Sequence, residues 1–260
     1  MEEVACAVFW KSILAAVSLG ILISGGSLMA QSAPVKNIVL VHGAFADGSS
    51  WSKVIPLLQS KGFHVRSVGI PLTSFADDVA ATKRVIAAEE GPVILVGHSY
   101  GGLVITEAGN DPKVVGLVYV AAFAPDANQT ITDISKPFPP PLGLSKLTPL
   151  SDGFLLLSPE GIETAFAQDL TKEEKALLVA VQPQTAGSIF GAKPTAAAWH
   201  TKPSWYIVAS NDNMIAPEQE KSMAKQLNAT TTVLPSSHVA MLSHPKEVAK
   251  VIEDAAAGRK

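Results

Sequence analysis

The chain has 260 residues, 47% of them hydrophobic and 17% charged, with a formal net charge of −3. That is enough apolar material to bury a full core as one large domain, and it excludes an intrinsically disordered chain. A nearly balanced charge with no block of one sign argues against a nucleic-acid or anionic-membrane partner and leaves small neutral ligands.

In chain order, the first feature is an uncharged apolar run over residues 13–23, preceded by Lys11 and followed by small residues up to Ala30. It is too short for an ordinary membrane span and has the shape of a secretory signal peptide over residues 1–30, which predicts an exported, periplasmic or secreted chain from Gln31 onward. Glu2 and Glu3 at the start and Leu28 near the end depart from that pattern, and an uncleaved membrane anchor is the alternative. Cleavage would remove Cys6, the only cysteine. The exported chain would then have no disulfide, no thiolate chemistry and no thiolate metal site, and no stable attachment to the membrane.

From residue 38 onward, strand-like runs alternate with helical stretches. Strands are predicted over residues 38–41, 64–68, 93–96, 115–120, 205–209 and 231–234. Most are continuous apolar runs, the pattern of a parallel sheet covered on both faces. Ser74 and Asp77 have capping-box spacing at the start of a helix that stops near Gly91 and Pro92. Pro245 opens the last helix, with Val248, Val251 and Ile252 on its inner face. Such alternation predicts an α/β fold, a three-layer sandwich on a mostly parallel sheet of about six strands. Residues 124–203 break the rhythm with no predicted strand, a proline cluster at 137–141 and helical pieces near 160–169 and 172–181. An insertion at the C-terminal edge of an open α/β sheet is read as a helical lid within a 31–260 domain.

The chemistry begins at Gly97-His98-Ser99-Tyr100-Gly101, which follows an apolar run and precedes a helix. That context makes the pentapeptide a nucleophile elbow and Ser99 the candidate nucleophile. A serine hydroxyl needs a base, and the base needs a carboxylate to orient it. His42 and His98 sit in motif positions, His64 lies within a strand, and His200 and His244 flank a strand and a helix. His238, on the loop after the last strand, is the candidate base. For the acid, Asp126 and Asp212 both follow strands at the functional edge; Asp212 is favoured, with Asp126 kept as the alternative. The developing oxyanion needs fixed donors. Tyr100 N–H is one, and the loop after the first strand offers the second, Ala44 N–H or alternatively Phe45 N–H, with Gly43 providing an unusual backbone turn.

Val41-His42-Gly43-Ala44-Phe45 with Trp51 after it, Gly-His-Ser-Tyr-Gly-Gly at 97–102, Asn211-Asp212, and Ser-His-Val-Ala-Met-Leu-Ser-His-Pro at 237–245 together resemble the α/β-hydrolase superfamily. Within it the chain is similar to the branch of plant methyl-ester esterases, hydroxynitrile lyases and their bacterial relatives, from about Asn37 to the C-terminus, with the lid matching least. Carried over, the resemblance implies Ser99 as nucleophile, Asp212 as acid, His238 as base, and Ala44 and Tyr100 as oxyanion donors. Hydroxynitrile lyases of this branch carry a threonine after the loop histidine and a lysine after the catalytic histidine, where this chain has Gly43 and Val239.

These readings converge on a serine hydrolase of small, hydrophobic carboxylic esters, working through an acyl-enzyme without cofactor or metal. Phe138, Leu142, Leu144, Phe154, Leu155, Phe166, Phe190 and Trp199 make the lid apolar, as a substrate pocket or as the lid's own packing. Other acyl-transfer or C–C bond chemistry on the same residues is one alternative, and a ligand receptor with slow turnover is another.

Overall fold

A computed structural model of the protein describes residues 35–259. The predicted signal segment, residues 1–30, and its Cys6 lie outside the described residues. The order of elements is β1 (Asn37–Val41), α1 (Val54–Ser60), β2 (His64–Val68), α2 (Phe75–Ala88), β3 (Val93–Ser99), α3 (Gly101–Ala108) and β4 (Val114–Ala122). An insertion follows, with α4 (Ile131–Ser135), β5 (Leu147–Pro149), β6 (Phe154–Leu157), α5 (Pro159–Gly161), α6 (Lys172–Val181) and β7 (Thr185–Ala186). The chain then returns through β8 (Ser204–Ala209), α7 (Pro217–Gln226), β9 (Thr230–Leu234), α8 (Ala240–Ser243) and α9 (Pro245–Ala256).

β2-β1-β3-β4-β8-β9 form one six-stranded sheet in which every neighbouring pair is parallel. Right-handed crossovers run from β1 to β2 in one direction and from β3 to β4 in the other, so the helices fall on opposite faces. Accordingly α1 packs with α9 and α2 with α3. β1, β3 and β8 are buried at every position, whereas the edge strands β2 and β9 alternate in exposure. Central strands covered on both faces must be apolar throughout; edge strands need only one apolar side.

Two local readings of the sequence change. Ser74 accepts the Asp77 amide at 3.1 Å, but Asp77 turns to the hydroxyls of Ser74 and Thr73, so α2 carries a simple N-cap in place of a reciprocal box. The insertion is not strand-free: β5-β6-β7 make a small antiparallel sheet. β5 ends in Pro149 on an edge, and β7 has two residues, too short for any periodicity to register. α6 falls where a helix was predicted, and the 160–169 piece is a short helix continued by a π turn at Ile162–Phe166.

The strand order reverses between β1 and β3, which places a crevice outside their C-terminal ends. β1 leads there into His42, Gly43, Ala44 and Phe45, and β3 ends on Ser99.

Candidate active site

Ser99 adopts φ 52°, a left-handed conformation that costs a non-glycine residue on the order of 1–3 kcal/mol. The sharp reversal lets β3 pass straight into α3, and it works only if positions 97, 101 and 102 carry no side chains. A Cβ on Gly97 would lie 2.6 Å from the Gly101 carbonyl oxygen, and one on Gly101 would lie 2.6 Å from that of His42. A Cβ on Gly102 would collide with the carbonyl oxygen of Phe123. The glycines of this motif are therefore demanded by close backbone approach.

Gly43 belongs to the same set, which corrects the expectation of an unusual turn there. Its backbone is not left-handed, and what forbids a side chain is Ser99 Cβ, 2.7 Å from where a Cβ would stand. The left-handed residue in this loop is Phe45, at φ 57°. Its amide donates to Thr185 Oγ1 at 3.2 Å and is thereby committed. The amides of Ala44 and Tyr100 have no acceptor among the described residues. Of the two alternatives for the loop donor, Ala44 is the one left available, and Ala44 and Ser99 line the same cavity.

His238 follows β9 on the short Pro235-Ser236-Ser237 turn and is buried, yet it lines that cavity together with Ser99. Its Nδ1 lies 2.5 Å from Asp212 Oδ2. An Nδ1–H donated to the carboxylate leaves Nε2 as the acceptor nitrogen, the tautomer a general base requires. Asp212 Oδ1 accepts the amides of Met214 at 2.6 Å and Ile215 at 3.0 Å, which fixes the carboxylate plane. Asp126 is elsewhere engaged: its half-buried carboxylate accepts from His200 Nε2 and from the Ala127 amide. The structure brings Asp212, not Asp126, to His238.

His98 supports the base from the side. Its Nε2–H donates to the His238 carbonyl at 3.0 Å, while burial and then the neighbouring His238 hold its ring well below the usual histidine range and keep it neutral. Burial likewise keeps His42 neutral. His64 pairs with Glu89 and His244 with the Ser243 hydroxyl, both away from this cluster.

Several supports were not visible in the sequence. Gln168 Nε2 donates to the Asn211 carbonyl, and Asp169 accepts the Ser237 amide at 2.8 Å, so one lid segment clasps the loops of both Asp212 and His238. Asp78, fully buried on α2, accepts the Leu72 amide at 2.8 Å and the Tyr100 hydroxyl at 2.7 Å. Burial raises the Asp78 carboxyl, and burial with the Asp78 charge raises the Tyr100 phenol, so that phenol stays a donor. The Ala186 amide donates to the Leu72 carbonyl, which ties β7 to the same network. Only Pro or polar residues at turns announce such links in a sequence, and Asp78 and Thr185 are neither distinctive in type nor in spacing.

Above Ser99 and His238 lies a cavity of about 430 Å³. Phe138, Leu144, Phe166 and Phe190 of the lid line it, together with the proline run Pro139, Pro140 and Pro141. The remaining apolar lid residues serve other ends: Phe154 and Leu155 form β6, Trp199 is buried with its indole N–H on the Pro125 carbonyl, and Leu142 is exposed. Among the described residues, no group of three or more His, Cys, Asp or Glu side chains could hold a metal ion.

Comparison with known proteins bears on the family and the fold. The chain is 28% identical over 244 residues to a pyrethroid hydrolase of Sphingobium wenxiniae, covering 85% of this chain and 87% of the relative. It is 25% identical to polyneuridine aldehyde esterase of Rauvolfia serpentina, covering 84% of this chain and 95% of that one. In fold it is similar to a solved pyrethroid hydrolase from Sphingobium faniae, with a TM-score of 0.75, 24% identity, and coverage of 85% and 97% of the two chains. Residues 38–251 match the alpha/beta hydrolase family, and the chain belongs to that family.

Proposed function

We propose that the protein is a serine carboxylic-ester hydrolase acting on small hydrophobic esters. The observation that carries this reading is the His238–Asp212 hydrogen bond beside a strained Ser99, at the floor of one apolar cavity. In the proposed cycle Ser99 Oγ attacks the ester carbonyl and His238 Nε2 takes its proton. Ala44 and Tyr100 amides stabilise the oxyanion, each donor worth on the order of 3 kcal/mol. The tetrahedral adduct collapses as His238 returns the proton to the leaving alcohol. Water activated by His238 then cleaves the acyl-enzyme and restores Ser99. Esterase names among the relatives support this chemistry over C–C bond cleavage, as does Val239 in the place where a cyanide-stabilising lysine would stand.

The cavity's apolar lining supports a hydrophobic acyl or alcohol group. Burial of a methylene is worth about 0.8 kcal/mol, so kcat/KM on p-nitrophenyl esters is expected to rise roughly three- to fourfold per added carbon until the cavity is filled. Steady multiple turnover with that trend supports an enzyme. A single slow turnover, with ligand-dependent capture of a partner, would favour a receptor.

Export is part of the proposal, on the strength of the apolar run over residues 13–23 and the small residues ending at Ala30. Secreted or periplasmic protein is expected to begin near Gln31 on N-terminal sequencing. A membrane-bound product retaining residues 1–30 would overturn export and leave the esterase reading untouched.

A further inference from the structure

Glu220 lies in the first turn of α7, with its side chain fully buried. Its Oε2 accepts the Ala209 amide at 3.0 Å, while Oε1, equally buried, has no partner that could donate to it. A charged carboxylate left so would carry the full cost of desolvation at an unpaired oxygen. Ala209 joins this acid to Asp212: its amide donates to Glu220 and its carbonyl accepts the Asp212 amide at 3.2 Å, which sets two buried carboxyl groups side by side, where the Asp212 charge acts on Glu220. Two neighbouring buried carboxylates with no cation between them cannot both be ionised, so one of them carries a proton.

The surroundings decide which. Asp212 receives three donors, the amides of Met214 and Ile215 and the His238 Nδ1–H, all of which favour its charged form. Glu220 receives one. The other titratable groups around the pair offer no proton: Tyr206 of β8 donates its hydroxyl to the Ala122 carbonyl, Tyr119 is paired with Thr106, and the half-exposed Lys221 ammonium is turned to Glu218. Burial first, then the Asp212 charge, hold the Glu220 carboxyl well above the ordinary glutamate range.

We propose that Glu220 is a neutral carboxylic acid whose Oε1–H donates to the Asp212 carboxylate, making it a positioning residue for the Asp212–His238 pair. The unpaired oxygen then becomes a donor, and Asp212 gains a fourth hydrogen bond that directs its remaining lone pairs toward His238. Part of the Asp212 charge is also shared with Glu220, which weakens the field that Asp212 exerts on the His238 ring. The functional side of this proposal rests on the triad reading; the protonation of Glu220 does not.

Glu220→Gln preserves shape and neutrality, with an amide N–H for Asp212 and an amide oxygen for Ala209. Its kcat/KM is expected to stay within about threefold of wild type, with the acid limb of the pH profile unmoved. Glu220→Leu removes the donor and returns the full Asp212 charge to His238; the acid limb should then move up by about one pH unit, with kcat reduced about tenfold and KM little changed. Should Glu220→Gln instead pull the acid limb down, a negative charge has been removed and the proposal is wrong. Infrared difference spectra give a second readout independent of turnover and of whether Glu220→Leu folds. Wild type minus Glu220→Gln should show the C=O stretch of a protonated carboxyl at neutral pH, and its absence overturns the proposal. If that band is present while Ser99→Ala still turns over esters, it is the triad reading that fails.

Discussion

Ser99→Ala and His238→Ala are each expected to lower kcat on a short p-nitrophenyl ester by about 10⁴ to 10⁶, with the double variant little worse than the poorer single one. In the proposed cycle the two side chains act on one event, transfer of the hydroxyl proton as the carbonyl is attacked, so once either is gone the other has nothing to do. On that reading, what survives in every variant is binding in the cavity and stabilisation by the Ala44 and Tyr100 amides, which belong to the backbone and persist on side-chain truncation. Folding should be preserved, because the strain at Ser99 resides in its backbone and alanine meets no closer neighbours there than serine does. A sulfonyl fluoride should label Ser99 in the wild type and label it poorly in His238→Ala, since a serine without its base is an ordinary alcohol. Additive losses in the double variant, or labelling elsewhere, would remove the elbow from the mechanism.

The parts of this fold that were legible are those in which one physical demand acts on consecutive residues. β1 and β3 are covered on both faces, so five and seven successive positions are buried and the runs stand out. The elbow is legible for a similar reason, because Gly97, Gly101 and Gly102 each meet backbone at a distance no side chain tolerates. Order along the chain then separated His238 from five other histidines. What stayed hidden depends on which distant residues meet. Asp126 and Asp212 look alike as post-strand aspartates and differ only in partner, His200 against His238. Gly43 reads as a turn residue because a sequence does not show that Ser99 crosses its path. Glu220 looks like any first-turn acid on a helix, where such residues complement the helix dipole. Only the burial of its side chain against Asp212 gives it another meaning.

Asp212→Asn should separate the two aspartates by the largest margin after the triad's other members, lowering kcat by about 10⁴ while Asp126→Asn changes it by no more than about threefold. The reason lies in the Asp212 donors. Oδ1 accepts two backbone amides, from Met214 and Ile215, and no amide nitrogen can take its place without facing two N–H groups. The asparagine carbonyl must therefore occupy the Oδ1 position and turn its NH₂ toward His238 Nδ1. That nitrogen becomes an acceptor, its proton moves to Nε2, and the ring presents to Ser99 a donor where an acceptor is needed. Binding is left largely intact, so the loss should fall on kcat and leave KM close to wild type. Asp126 has no such link: its half-buried carboxylate serves His200 and the Ala127 turn, and an asparagine oxygen can accept both bonds. A ring-nitrogen NMR spectrum of His238 should show the Nδ1-protonated tautomer in wild type and the Nε2-protonated one in Asp212→Asn. A folded Asp126→Asn protein with the greater loss would transfer the acid's role to the lid margin.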